Sequence, residues 1–544
     1  MKGFVLTFLF CCCFFHLLLA QSELSPAILQ KLEAIALQDV PDRAPGIATA
    51  VIRDGEVIYK KYAGYENLKD STFLDSNSRF NIASNGKQFT ALAILSLIDQ
   101  KKLKLSDNIR KWFPEIYPNI KEKITIRSLL NHTSGIRDCY DLWSLQGYTW
   151  WKESFNNDDV LALIGRQSDL NFMPESQYLY SNTNYILLAI LIEKISGKSF
   201  VEYTNQMFAK LGMPNTSFEN DHTKIADPVA KAYFNFGKWT DYNWIWNVCG
   251  DGNIFTTLED QIQWEKLVQG KGKTSFSRKL ISKSQQKIKA SKFSNYGYGL
   301  EFGTYKNNPY CFHEGATGAW KATTIRFPEK KWSIITMTNT GKAIPSQQTR
   351  QMADVLLEIP EEAKYFATQP EAVGPYISDD EIPGTYLTDG DFAFTFEMKN
   401  GKIFLKRVGR NDVELERESD NIFHQKFDPA FKQEFTKNVS GNQVVTAYYT
   451  SHAPYSLTKT KDLNINFNYQ QFNGKWENSE TDVVIELNHL SDKDFEVKFG
   501  NNEPTKGLLV SPNKMLVDFY SLTLSKDAIY LNGDRIKKVR FKRM

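Results

Sequence analysis

Ser84 opens a long apolar run, and Lys87 follows three residues later in Phe80-Asn81-Ile82-Ala83-Ser84-Asn85-Gly86-Lys87. Residues three apart on a helix share a face, which brings an amine within reach of a hydroxyl. The serine also sits near the helix start, where unpaired N–H groups and the macrodipole favour negative charge on an alkoxide or an oxyanion. A hydroxyl and an amine presented this way make an activated nucleophile. Gly86 costs ~1 kcal/mol against alanine inside the first turn, which a functional terminus tolerates. The same Ser-x-x-Lys spacing recurs at Ser284/Lys287, Ser456/Lys459 and Ser511/Lys514, so the supporting elements must choose among them.

The run from Ala91 to Ile98 has no solvent face, which predicts a helix buried in a large domain. Upstream, Ser25 to Gln38 has helical periodicity, and Gly46–Ile52, Asp54-Gly55 and Val57–Tyr59 form a β-hairpin with a favoured turn. Ile124 to Gly135 reads as a short helix ending in turns, with His132 in a structural role. Tyr178 to Asn184 is a polar cluster just before an apolar helix, Tyr185 to Ile195, stopped by Gly197. Tyr180-x-Asn182 in that cluster is held on a rigid support. Thr257 to Asp260 caps a helix over Ile262–Val268. Lys271 to Lys292 reads as an exposed polar helix, which removes Ser284/Lys287 from contention. Strands are expected at Tyr298–Phe302, Ala322–Phe327 and Trp332–Asn339, and a helix at Ile344–Leu357. His313-Glu314-Gly315 lies between the strands, with glycines at 315 and 318 that permit close backbone approach. The pattern is α+β, helices around an antiparallel sheet built from both ends of the segment.

Past Pro360 the texture changes. Residues 361–375 read as a linker, followed by closely spaced strands broken by Gly, Asn and Asp. These predict two small antiparallel β-barrels, over 376–465 and 466–544. A faint repeat supports the pair: Ile382-Pro383-Gly384-Thr385-Tyr386 opens one block and Phe472-Asn473-Gly474-Lys475-Trp476 the other. On strands a three-residue offset places side chains on opposite faces, so Ser456/Lys459 and Ser511/Lys514 drop out.

Residues 1–20 have a basic start, an apolar core and a small residue before a polar stretch, which reads as a cleaved signal peptide; an uncleaved anchor is the competing reading. Export to the periplasm or the medium follows. Cys11, Cys12 and Cys13 then leave with the signal, and Cys139, Cys249 and Cys311 allow one disulfide at most. No Cys/His spacing suits zinc, so neither a metal nor another cofactor is expected. A net charge of +3 spread along the chain gives no argument for nucleic acid. The basic stretch Arg535 to Arg543 alternates with apolar residues and reads as a solvated strand face.

Ser84-x-x-Lys87, Tyr180-x-Asn182 and His313-x-Gly315, in this order on these supports, resemble the serine β-lactamase and penicillin-binding protein family. The form is nearest its class C-like branch, with D-aminopeptidases and esterase-like hydrolases. The resemblance covers Pro26 to Leu357, and the C-terminal blocks look like the paired lipocalin-like barrels of D-aminopeptidase. It implies Ser84 as the acylated nucleophile, and Lys87, Tyr180 or the pair as the base. It implies Asn182, His313 and Gly315 at the substrate, with the backbone N–H groups of Ser84 and Ala316 as the oxyanion hole, and water to release the acyl group. The usual third motif is Lys-Thr-Gly, so a part-charged His313 weakens the case for β-lactams or free carboxylates. A peptidase or amidase on small peptides or D-amino-acid amides is therefore expected, cell-envelope peptidoglycan fragments included. A carboxylesterase comes next, then a β-lactamase or DD-carboxypeptidase. The non-enzyme alternative is a silent binding protein of the same fold.

Overall fold

In the computed structural model the described residues are 24–149, 151–241, 243–288, 295–359, 374–388, 393–406, 412–426, 428–448, 454–460 and 468–544. The expected signal peptide lies outside them, as does almost all of the expected linker.

A six-stranded antiparallel sheet organises the N-terminal domain. Its strands are β1 (Ile47–Arg53), β2 (Glu56–Ala63), β3 (Glu301–Tyr305), β4 (Asn308–Thr317), β5 (Trp320–Phe327) and β6 (Trp332–Thr338), in the order β3-β4-β5-β6-β1-β2. The two ends of the domain meet where β1 pairs with β6, Ile47 opposite Thr338. Both sheet faces are covered, so β1 is apolar almost throughout. Val51, Ile325 and Ile334 pack on one side against helices α1 (Pro26–Leu37) and α7 (Pro345–Leu356). Ala50, Ile52, Ala322 and Ile335 face the other side, toward α2 (Lys87–Asp99) and the other helices of the domain. These include α3 (Cys139–Gln146), α4 (Asn182–Ser196), α5 (Leu258–Val268) and α6 (Arg278–Ser284).

Helix α2 is buried nearly all round, as its sequence requires. The exposed helix expected over 271–292 is a correction: among the described residues there only α6 is an α-helix, Ser284 is fully buried and its hydroxyl donates to the Ile281 carbonyl. Lys287 lies beyond the helix end, and its amine reaches Asn295. His313-Glu314-Gly315 is also not a connection between strands but the middle of β4. Cys139, Cys249 and Cys311 are free and buried.

Two closed eight-stranded antiparallel barrels follow, with strands between Gly384 and Lys459 and between Gly474 and Arg543. Each closes first strand on last, Tyr386 opposite Lys459 and Trp476 opposite Arg543. The repeated opening motif has a physical basis. Gly384 and Gly474 take positive φ, at 138° and 118°, as each chain turns from a 3-10 turn into its first strand. Two residues on, a buried aromatic caps the barrel and bonds the carbonyl four residues back. Tyr386 Oη donates to Ile382 O at 2.9 Å, and Trp476 Nε1 donates to Phe472 O at 3.0 Å.

Candidate active site

Ser84 lies in a 3-10 turn, Ala83–Gly86, that runs directly into α2. Ala83 is held at φ 46°, a left-handed conformation, and its N–H is taken by the Asn81 side chain at 2.9 Å. The turn presents Ser84 one helical turn from Lys87, whose Nζ donates to Ser84 Oγ at 3.0 Å. The same amine reaches Asn182 Oδ1 at 2.8 Å and the Asp251 carbonyl at 2.7 Å. All three ammonium directions are thereby assigned. Burial pushes Lys87 down to about 8, against the attraction of Asp251 and Asp138.

Asn182 begins α4, and both of its amide ends are in use. Its Oδ1 takes Lys87, while its Nδ2 and backbone N–H donate to Asp138 Oδ2 at 3.0 and 2.6 Å. The amide nitrogen carries a second hydrogen and the residue borders the first cavity, so the expected bond from Asn182 to a substrate amide does not compete with Asp138. That aspartate has no solvent exposure and caps α3 through its other oxygen, which accepts from Tyr140 N and Asp141 N.

Tyr180 shares the walls of two cavities with Ser84. Its ring lies 4.9 Å from Lys87 Nζ. Burial holds its hydroxyl well above the ordinary range, while a hydrogen bond with Ser84 pulls the other way. His132 backs it in the structural role expected: the ring centroids are 4.3 Å apart, and His132 Nδ1 accepts from Ser181 N and Asn184 Nδ2.

His313 requires a correction. It is 2 % exposed, and burial with the Lys87 charge lowers it to about 3, so it is neutral near pH 7 rather than part-charged. A carbonyl only accepts, so Nδ1–H donates to Glu314 O at 2.7 Å, which leaves Nε2 to accept from Tyr296 Oη at 2.7 Å. Both ring nitrogens are therefore occupied, although the residue borders the second cavity. Glu314 points to the opposite face of β4 and pairs with Arg350 at 2.8 Å. Gly315 admits no side chain, because a Cβ there would lie 2.3 Å from Ile82 O and 3.0 Å from Ser84 N. Ala316 stands with Ser84 on the walls of both cavities.

The first cavity holds about 560 Å³ and is dominated by aromatic rings, with Trp143 stacked on Phe155 at 4.2 Å and set edge-on to Trp246 at 5.7 Å. The second, about 420 Å³, is bordered by Glu301, Glu314 and Lys321. Burial and the nearby Glu314 raise Glu301 to about 7.

The residue that sequence reasoning placed most wrongly is Arg535. It precedes the last strand of the second barrel (Val539–Arg543), lines the aromatic cavity and grips Asp141 Oδ1 at 2.6 Å, with Asp138 Oδ2 at 3.5 Å. Alternation does describe Val539 to Lys542, but the solvated face expected of the whole stretch fails at Arg535. Asp138, Asp251 and Tyr296 were also missed. An aspartate two residues before Tyr140 is a legible helix cap, but its second oxygen's task was not.

The family model described as Beta-lactamase matches residues 34–358. Penicillin-binding protein 4* of Bacillus subtilis (strain 168) is 26% identical over 394 residues, covering 68% of this chain and 85% of its own. Among solved structures, the octameric penicillin-binding protein homologue from Pyrococcus abyssi superposes with a TM-score of 0.55 at 24% identity, over 79% of this chain and all of that one. The D-amino acid amidase from Ochrobactrum anthropi SV3, complexed with L-phenylalanine, has a TM-score of 0.50 at 20% identity, over 62% of this chain and 98% of its own.

Proposed function

Because the chain belongs to the β-lactamase family, we propose that it is an exported serine hydrolase that forms an acyl-enzyme on Ser84 and cleaves small peptides or D-amino-acid amides. The observation that carries this reading is the buried Lys87 amine 3.0 Å from Ser84 Oγ. With Lys87 lowered to about 8, roughly a tenth of it is neutral at pH 7 and can take the serine proton. Tyr180, held far above its ordinary range, is a phenol that gives its proton to the leaving amine as Lys87 hands on the proton taken from Ser84, so that Tyr180 is a phenol and Lys87 neutral again after acylation. The assignment favours Lys87 over Tyr180 as the base. The tetrahedral oxyanion would rest on the backbone N–H groups of Ser84 and Ala316, each contributing ~3 kcal/mol. Water then releases the acyl group, with Lys87 as the base again.

One feature supports amides and esters over β-lactams or free C-terminal carboxylates: His313 offers no positive charge. Short peptides from cell-envelope peptidoglycan suit an exported enzyme with the leader-like residues 1–20. A fluorescent serine-directed phosphonate tests the reading. Wild type should label, and Ser84→Ala and Lys87→Ala should not; equal labelling of Ser84→Ala would remove the nucleophile from this account.

A further inference from the structure

Asp138 has no solvent exposure, and its carboxylate is filled with N–H donors. One oxygen accepts from Tyr140 N and Asp141 N at the start of α3, at 3.0 and 3.3 Å. The other accepts from Asn182 N at 2.6 Å and from Asn182 Nδ2 at 3.0 Å. Thr183 fastens the two segments beside this contact: its Oγ1 donates to Arg137 O at 2.9 Å and accepts from Cys139 N at 2.8 Å. A carboxylate offers no hydrogen. The Asn182 amide therefore meets Asp138 with its nitrogen, and its oxygen is turned to Lys87 Nζ, 2.8 Å away.

That orientation decides where the lysine can act. As an ammonium, Lys87 has one hydrogen for each of its three acceptors. As the neutral amine that acylation requires, it has two hydrogens and one lone pair. Asn182 Oδ1 and the Asp251 carbonyl only accept, so they take the two hydrogens. The lone pair is left for the third direction, toward Ser84 Oγ at 3.0 Å. The Ser84 proton moves along it and restores an ammonium with all three partners. A turned Asn182 amide would instead donate Nδ2–H to the lone pair, and the base would be spent on Asn182.

We propose that Asp138 is a positioning residue that aims the Lys87 lone pair at Ser84 by fixing which end of the Asn182 amide meets the amine. It rests on Ser84 as the reacting group and acts through Asn182 and Lys87. Of the charged groups near the amine, Asp251 and Asp138 raise it and Arg535 lowers it. His132 and His313 are held neutral by burial, and Tyr180 and Cys139 are held protonated.

The test follows the rate of phosphonate labelling against pH in the full chain. Asp138→Ser keeps a helix cap for α3 but releases the Asn182 amide. On the plateau above the acid limb Lys87 is neutral in every protein, so a loss there reads its aim rather than its charge. The plateau should fall about 10-fold, the scale of one hydrogen bond to a charged group, and the limb should move below its wild-type position near 8 because a carboxylate is lost. Adding Asn182→Asp presents only oxygen to the amine. The double variant should regain most of the plateau, with its limb above 8. An unchanged plateau in Asp138→Ser, or a double variant no faster than Asp138→Ser, overturns the proposal. A role confined to capping α3 predicts the first of these results.

A second arm needs no variant. Neutron diffraction of the wild type well above pH 8 separates amide oxygen from nitrogen, which X-rays do not. It should show deuterium on Nζ toward Asn182 Oδ1 and the Asp251 carbonyl, and the Ser84 deuterium directed at Nζ. Asn182 Nδ2 facing Lys87 overturns the proposal. A wild type with the expected deuterium pattern that does not label removes the hydrolase reading alone. A labelled wild type with a turned amide removes the role of Asp138 alone.

Discussion

The two C-terminal barrels share a topology and an opening motif, yet they stand in opposite relations to the active site. The core of the second is continuous with that of the N-terminal domain: Trp476, Phe495 and Phe541 belong to the same apolar cluster as the buried helices α2 and α4. The first encloses a separate core built on Tyr386, Phe396 and Phe435, and Arg417–Asp379 and Lys437–Glu381 tie it to its own lead-in segment. Charge follows the same division. Arg137, 1 % exposed, reaches across to Glu480 and to the carbonyls of Lys537 and Lys538. Arg535 reaches back to Asp141, and Asn171 exchanges two hydrogen bonds with the backbone of 535 and 537. One fold thus serves once as an extension of the N-terminal domain's interior and once as an appended module. What differs is carried by two connections of the second barrel, residues 479–482 and 533–538, which hold these contacts.

The sharpest way to break this contrast is deletion. Removing 466–544 strands Arg137, whose buried pair alone is worth ~3–5 kcal/mol when one partner is lost, a large share of the ~5–15 kcal/mol that holds a domain together. The catalytic domain should then fail to fold. Excising 376–465 should leave ester and anilide rates within about twofold, because Tyr386 and Lys459 are paired neighbours and the ends of that barrel lie side by side. A soluble, active chain lacking 466–544 would sink the idea of fusion.

Acid should separate the two units next. His132 and His313 are buried and held below their ordinary range, His313 at about 3. Unfolded, both take up protons below about 6.5, so the stability they allow is complete above that pH and drains away as pH falls toward 3. None of the 11 tryptophans lies between 376 and 465, so tryptophan fluorescence reads only the fused unit. Its thermal midpoint should drop between pH 7 and pH 5, and His313→Gln should blunt the drop. A midpoint that does not move would contradict the neutral histidines.

Arg535→Ala should cost about tenfold in kcat/KM, the effect of a partly buried charge pair losing one member. It carries a second signature. Arg535 lowers Lys87, so its loss should move the acid limb of kcat/KM above its wild-type position near 8. A rate loss with an unmoved limb would reduce Arg535 to a structural clamp. The smallest effect belongs to the independent barrel. Tyr386→Phe removes one buried hydrogen bond, about 1 kcal/mol, and should leave Ser84 labelling untouched.

The nucleophilic pair was legible because helical spacing, a polar-to-apolar switch and motif order all bear on adjacent residues. Ser84, Lys87, Tyr180 and Asn182 do converge, and the barrel repeat had a real cause in Gly384/Tyr386 and Gly474/Trp476. What escaped depends on distance and burial. Asp138, Asp251 and Arg535 come from separate connections whose meeting no local pattern records. The neutral state of His313 depends on the depth of β4 in the sheet. Alternation concealed Arg535, since the rule that fits Val539 to Lys542 does not extend to the residues that lead into the strand.

The bond between Arg137 and the Lys537 carbonyl spans 400 residues of chain. A ribosome adding about 5–20 residues per second needs roughly 20–80 s to cover that distance. Once residue 251 is made, Ser84, Lys87 and Tyr180 all exist, while the acids behind them still lack the Arg535 counter-charge and the apolar face shared with the second barrel lacks its cover. Synthesis from the N-terminus therefore imposes a delay between making Ser84 and closing the structure around it.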